Sequence, residues 1–324
     1  MSHSDRLFLE DASLTLKQKL EDKLIRNKNF NEQDFHDFEV HYKIASEDDQ
    51  LRFIVYYEYL AQVLQAGSQQ LIERVWGDLP MQLDPSQIDQ GVLDVTINCG
   101  GLGEDESLRQ LCVERLANAR LWFLMGPLVE RLVWLRDATA GNTRNTTVAA
   151  NIDSVPPLAT LQFRKLETCW IACKPDRITV IFTIHVDDEV DVALGRAFCQ
   201  EFSETNRKPS DSQLPCTFSE PKDPPQEIRD QLSFAPNVGY ISLTISDQAL
   251  RKATEERVHA LATPVMTFRN FFDFHLKNAK SYLHSRLRRK INTWQDQMKN
   301  ARRQKKGQEK RRLVSGKEFN PASR

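Results

Sequence analysis

The sequence has no apolar run as long as the roughly 18 residues that a membrane-spanning helix needs. Its best candidate, residues 121–135, is interrupted by Gly126, Pro127, Glu130 and Arg131. Residues 1–6 also lack the basic flank and the following apolar core of a secretory signal. We therefore exclude membrane insertion and expect a cytosolic protein.

Cysteine is scarce, with six residues in a chain of 324. They are Cys99, Cys112, Cys169, Cys173, Cys199 and Cys216. So few cysteines in so long a chain do not make a disulfide scaffold, and a reducing compartment would keep them as free thiols. We expect all six in the core or just below the surface. For the same reason we expect the sequon at Asn145 to be unmodified.

Motifs for catalysis and metal binding are also missing. The sequence contains neither H-E-x-x-H nor G-x-S-x-G, and Cys169 and Cys173 are too far apart for a C-x-x-C zinc motif. The acids at 104–106 would repel a phosphate from the glycines of Gly100–Gly103, which we interpret as a turn before a helix. The acidic cluster Asp187–Asp191 lacks the glycine and glutamate of a calcium loop, and a solvated hairpin is favoured. Nothing here argues for an enzyme, a cofactor or a metal site.

The net charge of −1 hides a strong asymmetry along the chain. Residues 277–324 contain 16 Lys or Arg but only the three acids Asp296, Glu309 and Glu318, a balance of +13. Residues 1–276 therefore carry −14. A basic end on an acidic body indicates a polyanionic partner: nucleic acid, anionic lipid or an acidic protein surface.

Residues 1–140 predict a first α/β domain, because helical and strand patterns alternate along them. In chain order the predicted elements are a helix at 12–26, strands at Phe35–Ile44 and Leu51–Tyr57 with a hairpin turn at 45–50, a helix at 58–76, a strand at Asp94–Asn98 and a long helix at 106–136.

Residues 141–157 contain Gly, Asn, Thr and Ala and end in the pair Pro156–Pro157, a composition that predicts a linker. Residues 158–255 then predict a second α/β domain. Its predicted strands are Leu161–Phe163, Cys169–Cys173, Arg177–Val186 and Val238–Ile245, while residues 192–204 fit either a strand or a helix. The predicted fold class is α+β: two similar small α/β sandwich domains with antiparallel sheets, followed by a long C-terminal helix.

The long C-terminal helix is predicted at 256–300, with the Thr263–Pro264 pair as a good start and a basic tail at 301–324 behind it. From Pro264 to 300 it would be roughly 55 Å long, too long for one small domain to cover. Apolar residues recur every three or four positions, and we expect them to contact a partner helix. These are Phe268, Phe272, Leu276, Leu283, Leu287, Ile291, Trp294 and Met298.

Six segments of the chain resemble the 34-kDa-type subunit, subunit 2, of the actin-related protein 2/3 complex. They are Lys174–Phe182, Asp187–Phe202, Asp223–Arg229, Val238–Ile241, Thr267–Arg288 and Ser315–Phe319, and Leu71–Trp76 is the best segment of the N-terminal half. The resemblance implies two similar α/β domains and a long helix that pairs with a smaller subunit of related fold. It also implies a non-catalytic role at the side of a mother actin filament, from which the actin-related subunits start a branch.

The resemblance, with the charge pattern, assigns filament contact to basic residues of the helix and tail. These are Arg286, Arg288, Arg289, Lys290, Lys299, Arg302, Arg303, Lys305 and Lys306. The expected location is the cytoplasmic actin cytoskeleton, at the cell cortex or in projections. The main alternative is a nucleic-acid-binding protein that uses the basic tail, and membrane-surface binding through that tail is a secondary one.

Overall fold

A computed structural model describes residues 13–103, 105–140, 155–205 and 214–301. The chain divides into two units, residues 1–276 and residues 277–324. The first unit holds two five-stranded antiparallel sheets with their helices, which confirms the α+β prediction. The division into domains at 1–140 and 158–255 stays a prediction, and most of the predicted linker lies outside the described residues.

The helices are named here in chain order, for the described residues. They are α1 (Leu14–Leu24), α2 (Leu60–Val63), α3 (Gln69–Trp76), α4 (Glu106–Ala117), α5 (Ala119–Ala140), α6 (Glu189–Thr205), α7 (Asp247–Leu250), α8 (Glu255–Met266) and α9 (Phe268–Ala301). The segment Leu64–Ser68 joins α2 to α3 and is kinked at Gly67, whose φ of 128° is not helical. None of these helices has the length and apolar character needed to cross a membrane.

The strands form two sheets of the same topology. They are β1 (Gln33–Asp37), β2 (Val40–Glu47), β3 (Gln50–Tyr56), β4 (Met81–Asp84), β5 (Val92–Asn98), β6 (Ala159–Arg164), β7 (Glu167–Lys174), β8 (Arg177–Ile184), β9 (Cys216–Ser219) and β10 (Gly239–Ser246). The first sheet has the order β1-β2-β3-β5-β4 and the second β6-β7-β8-β10-β9. This repeated order supports the prediction of two similar sheets.

The first sheet buries one face because apolar residues alternate along its strands. On β3, Leu51, Phe53 and Val55 are buried while the residues between them are not. On β2, Tyr42 lies opposite Val55 and Ile44 opposite Phe53. These residues continue into a core that both sheets share with α5, which packs against α3, α8 and β8.

The predicted strand Phe35–Ile44 is wrong, because a tight hairpin divides it into β1 and β2. Asp37 pairs with Val40, which leaves a turn at Phe38 and Glu39. Phe38 has φ 56°, a left-handed conformation that is rare for a residue other than Gly, Asn or Asp. Its aromatic side chain gave a strand signal, and no turn residue marks the position.

Other element predictions also differ from the structure. The long helix at 106–136 is interrupted at Asn118, where α4 ends and α5 begins. The cluster Asp187–Asp191 is not a hairpin: Asp187 and Asp188 directly precede α6, and Glu189 and Asp191 lie in its first turn, where acids are favoured. The open choice at 192–204 is therefore resolved as helix. The edge strands β4 and β9 were missed because four residues are too short for a clear pattern.

The Thr263–Pro264 helix start is also wrong. Pro264 lies inside α8, which begins at Glu255 with the Thr254 side chain as its N-cap. The long helix α9 follows at Phe268 and has 34 residues, about 50 Å at 1.5 Å per residue. A long C-terminal helix is therefore present, but a break near Thr267 separates it from α8.

Candidate interaction surface on the long helix

A buried ion pair fixes the first turns of α9. Nε of Arg269 donates to both carboxylate oxygens of Glu167 on β7, at 2.9 and 2.8 Å. The same carboxylate accepts a hydrogen bond from the backbone N–H of His185 at 2.8 Å. Glu167 is thus fully engaged, and α9 is tied directly to the second sheet.

A second arginine, Arg164 on β6, extends this pair into a five-residue cluster. Its guanidinium donates to Asp273 on α9 at 2.9 Å and to Glu39 in the β1–β2 turn. Asp273 also pairs with Arg269 one helical turn earlier. We call Glu39, Arg164, Glu167, Arg269 and Asp273 the helix-root cluster. It joins the first sheet, the second sheet and α9.

The helix-root cluster shifts the pKa values of Asp273 and Arg164. Burial alone would raise the pKa of Asp273, but Arg269 and Arg164 outweigh it and hold that pKa below the ordinary aspartate value. Burial acts to lower the pKa of Arg164, but the carboxylates of Glu39, Glu167 and Asp273 raise it overall. Asp273 and Arg164 are therefore both ionised at neutral pH. Sequence reasoning missed it, because its partners lie on four elements.

The eight apolar residues predicted to contact a partner divide into two groups. Phe268, Phe272 and Leu276 are buried among the chain's own side chains. The other five residues are 39 to 61% exposed in the described part of the chain, and we call them the apolar stripe. They are Leu283, Leu287, Ile291, Trp294 and Met298. Of these eight residues, only the five of the apolar stripe are open to a partner in the described part of the chain.

The basic residues predicted to contact a filament are also exposed where the structure describes them. At about 100° per residue, Arg286 and Lys290 lie along one side of the apolar stripe and Arg288 and Lys299 along the other. Arg289 lies nearly opposite the stripe. The basic groups therefore surround the stripe and do not form one separate face.

Few acids neutralise these basic side chains within the described residues. Lys299 lies 3.5 Å from Asp296, and Arg286 lies over the ring of Tyr282 at 6.0 Å. Arg288, Arg289 and Lys290 have no ion pair in the described chain. The remaining predicted residues, Arg302, Arg303, Lys305 and Lys306, lie outside the described residues.

The cysteines and acids offer no reactive centre in the part of the chain that the structure describes. Burial raises the pKa of Cys112 to about 12 and that of Cys173 to about 11, so both thiols stay protonated at neutral pH. No group of three or more His, Cys, Asp or Glu side chains in that part is placed to hold a metal ion. The surface of α9 is thus the strongest candidate for a functional site.

Comparison with known proteins identifies the family. Residues 54–305 match the family model described as Arp2/3 complex, 34 kD subunit p34-Arc. Actin-related protein 2/3 complex subunit 2 of Dictyostelium discoideum is 26% identical over 268 residues, which cover 79% of this chain and 80% of that protein.

The protein of the same name from Schizosaccharomyces pombe is 29% identical over 147 residues. That match covers 45% of this chain and 45% of the Schizosaccharomyces pombe protein, less than half of each. The family match covers more than three quarters of the chain and confirms the resemblance noted in the sequence. This chain belongs to the family of the 34 kD subunit, p34-Arc, of the Arp2/3 complex.

Proposed function

We propose that this protein is a non-catalytic core subunit of an actin-related protein 2/3 complex that contacts the mother filament and scaffolds the nucleation of branches. The observation that carries the proposal is the apolar stripe, whose five large side chains are exposed on α9. Such a surface on a charged helix is costly in water unless a partner covers it.

The partner proposed for the apolar stripe is the helix of a smaller subunit of similar fold. Covering one large apolar side chain contributes roughly 1.5 to 3 kcal/mol, so five of them can hold a stable assembly. Because Arg286 and Lys290 border the stripe, acids on the partner helix are expected beside them. Cytoplasmic actin structures at the cortex or in cell projections are the proposed location.

The partner proposed for Arg288, Arg289 and Lys299 is the acidic surface of the actin filament. Arg288 and Lys299 lie along the other border of the stripe and Arg289 lies nearly opposite it. A partner helix on the stripe would therefore leave Arg289 in solvent. The attraction is electrostatic and should weaken as salt rises.

Co-sedimentation with actin filaments tests this assignment. Complex carrying Arg288→Glu and Arg289→Glu should assemble normally but pellet with filaments less well than wild type, with the difference shrinking at high salt. The matched control, Arg229→Glu with Arg251→Glu, makes the same charge change at two exposed arginines of the first unit. Equal pelleting of both double variants would reject the assigned surface.

Nucleic-acid binding is the second candidate, and one observation favours it. Tyr282 is 66% exposed and Arg286 lies over its ring, an arrangement on which a base can stack. A gel shift with RNA or DNA at physiological salt decides between the two. Tight binding that Tyr282→Ala abolishes would favour this candidate over filament contact.

A further inference from the structure

Five aromatic rings form one continuous surface on α6 and the first turns of α9, and we call them the aromatic patch. Phe198 stacks on Phe202 and on His275, with centroid distances of 6.0 and 5.8 Å. Phe271 and Phe274 lie 4.2 and 5.4 Å from His275. All five residues are half-buried in the described chain. None of them belongs to the apolar stripe.

Buried side chains pack beneath the aromatic patch and hold it in position. Phe272 is fully buried and meets Phe198 edge to face at 5.6 Å, and Phe268, also buried, lies 5.3 Å from Phe202. Next to them Gly195 of α6 faces the Phe272 ring. The half-exposed rings are thus held in place before any partner arrives, which lowers the entropy cost of binding.

Apolar and acidic residues of α6 extend the aromatic patch. At about 100° per residue, Val190, Leu194 and Glu201 lie on the same side of α6 as Phe198. Val190 is 52% exposed. Glu201 and Glu204 are exposed and have no ion pair within the described residues. The surface is therefore apolar, and it is flanked by carboxylates that no basic residue in the described part of the chain neutralises.

Glu201 and Glu204 favour one chemical class of binding partner. A polyanion, whether nucleic acid or an acidic filament surface, would be repelled by Glu201 and Glu204. A protein segment that combines apolar side chains with a Lys or Arg satisfies both the rings and the carboxylates. Aromatic residues are enriched in protein interfaces while acids are depleted there, so an acid at such a surface needs a specific partner.

We propose that the aromatic patch and Glu201 form a docking surface for another subunit of the same complex, which lays apolar side chains over Phe198 and Phe271 and pairs a basic residue with Glu201. This inference rests on the proposed function for its partner. It adds a second contact surface on a part of the chain that neither the stripe nor the basic residues use.

Zero-length carbodiimide crosslinking of the assembled complex tests the proposal, because the reagent joins a carboxylate to a lysine in contact with it. Mass spectrometry should find Glu201 joined to another subunit, and Glu201→Gln should remove that link. Hydrogen exchange of α6 should slow in the complex compared with the purified full chain. Glu201→Lys should weaken assembly by about tenfold.

The matched control is Gln200→Lys, which places the same charge at an exposed position about 100° around α6. Thermal melting of both variants checks that each chain is folded. Unchanged exchange of α6 in a complex that assembles, or equal assembly of the two lysine variants, would overturn the docking surface alone. Failure of the wild-type chain to join the complex would instead overturn the proposed function, and this inference with it.

Discussion

Arg269 on α9 and Glu167 on β7 form a bidentate ion pair in which each side chain is only 5% exposed. The residues are 102 positions apart in the chain, so the pair fixes where α9 leaves the second sheet. Through Arg164 the same cluster reaches Glu39 in the first sheet. The start of the long helix is therefore held by buried charges as well as by apolar packing.

Replacing Arg269 with leucine should lower the free energy of unfolding by about 3–5 kcal/mol, because the buried carboxylate of Glu167 would lose the guanidinium that pairs with it most closely. Urea unfolding followed by circular dichroism measures the loss. Arg269→Met combined with Glu167→Gln leaves no charge at either position and should recover much of the stability.

The exposed pair of Arg251 with Asp247 provides the comparison for that experiment. Arg251→Leu should cost no more than about 1 kcal/mol, since exposed ion pairs are weak. A loss for Arg269→Leu as small as this would contradict the role assigned to the helix-root cluster.

Acid should destabilise the helix root through Asp273. Its folded-state pKa lies below the usual 3.8, so it contributes stability above that pH and loses it as the pH falls through the folded pKa. Over that interval the unfolded chain binds the proton more readily than the folded chain. We expect Asp273→Asn to be less stable than wild type at neutral pH. As the pH falls below about 5, the variant should lose less stability than wild type does. Urea unfolding at each pH measures both effects.

Asp22 is the control for this pH dependence. Its pKa is also lowered, mainly by a hydrogen bond from Arg26, but the pair is exposed to solvent. Asp22→Asn should therefore change the slope of stability against pH much less than Asp273→Asn does. Equal slopes for wild type and Asp273→Asn would remove Asp273 as a source of acid sensitivity.

The close approach of α5 to the kinked segment Leu64–Ser68 supports a third prediction. Pro127 cannot donate to the carbonyl of Phe123, which instead accepts a hydrogen bond from Ser68 Oγ. A Cβ on Gly126 would lie 2.3 Å from Ser68 Cα, so the backbones would have to separate. We expect Gly126→Ala to destabilise the protein by about 3 kcal/mol, measured by urea unfolding.

Ser68→Gly combined with Gly126→Ala distinguishes a backbone clash from a side-chain clash. The double variant should be no more stable than Gly126→Ala, because the Cα of residue 68 remains in place and the Phe123 carbonyl also loses its donor. Recovery of stability in the double variant would place the crowding at the Ser68 side chain.

The sequence predicted the elements that have a regular residue pattern. The aromatic and β-branched residues of Leu51–Tyr57 predicted a strand, and the three-to-four spacing from Phe268 onward predicted the long helix. It did not show the turn at Phe38, whose side chain favours strands. Nor could it separate α8 from α9, because a proline inside a helix and a proline at its start look alike in one sequence.

The candidate site was predictable in composition but not in arrangement. Phe272 and Leu287 occupy equivalent positions in the apolar pattern, yet one is buried in its own chain and the other is 51% exposed. Periodicity states which side of a helix is apolar and not what covers it. The helix-root cluster gave no sequence signal beyond the Arg269 and Asp273 spacing, because Glu39, Arg164 and Glu167 meet them only in the folded chain.

This difference between Phe272 and Leu287 leads to a last prediction. Leu287→Glu with Ile291→Glu should leave the free energy of unfolding of the isolated chain within about 0.5 kcal/mol of wild type, because both side chains already face solvent. The same variant should fail to copurify with the smaller subunit, since two carboxylates would have to be buried at the contact. Phe272→Ala, in contrast, should lower the free energy of unfolding of the isolated chain by about 3–5 kcal/mol. A charged variant that unfolds the isolated chain would show that the stripe is covered by its own chain, and normal copurification would remove the stripe from the partner contact.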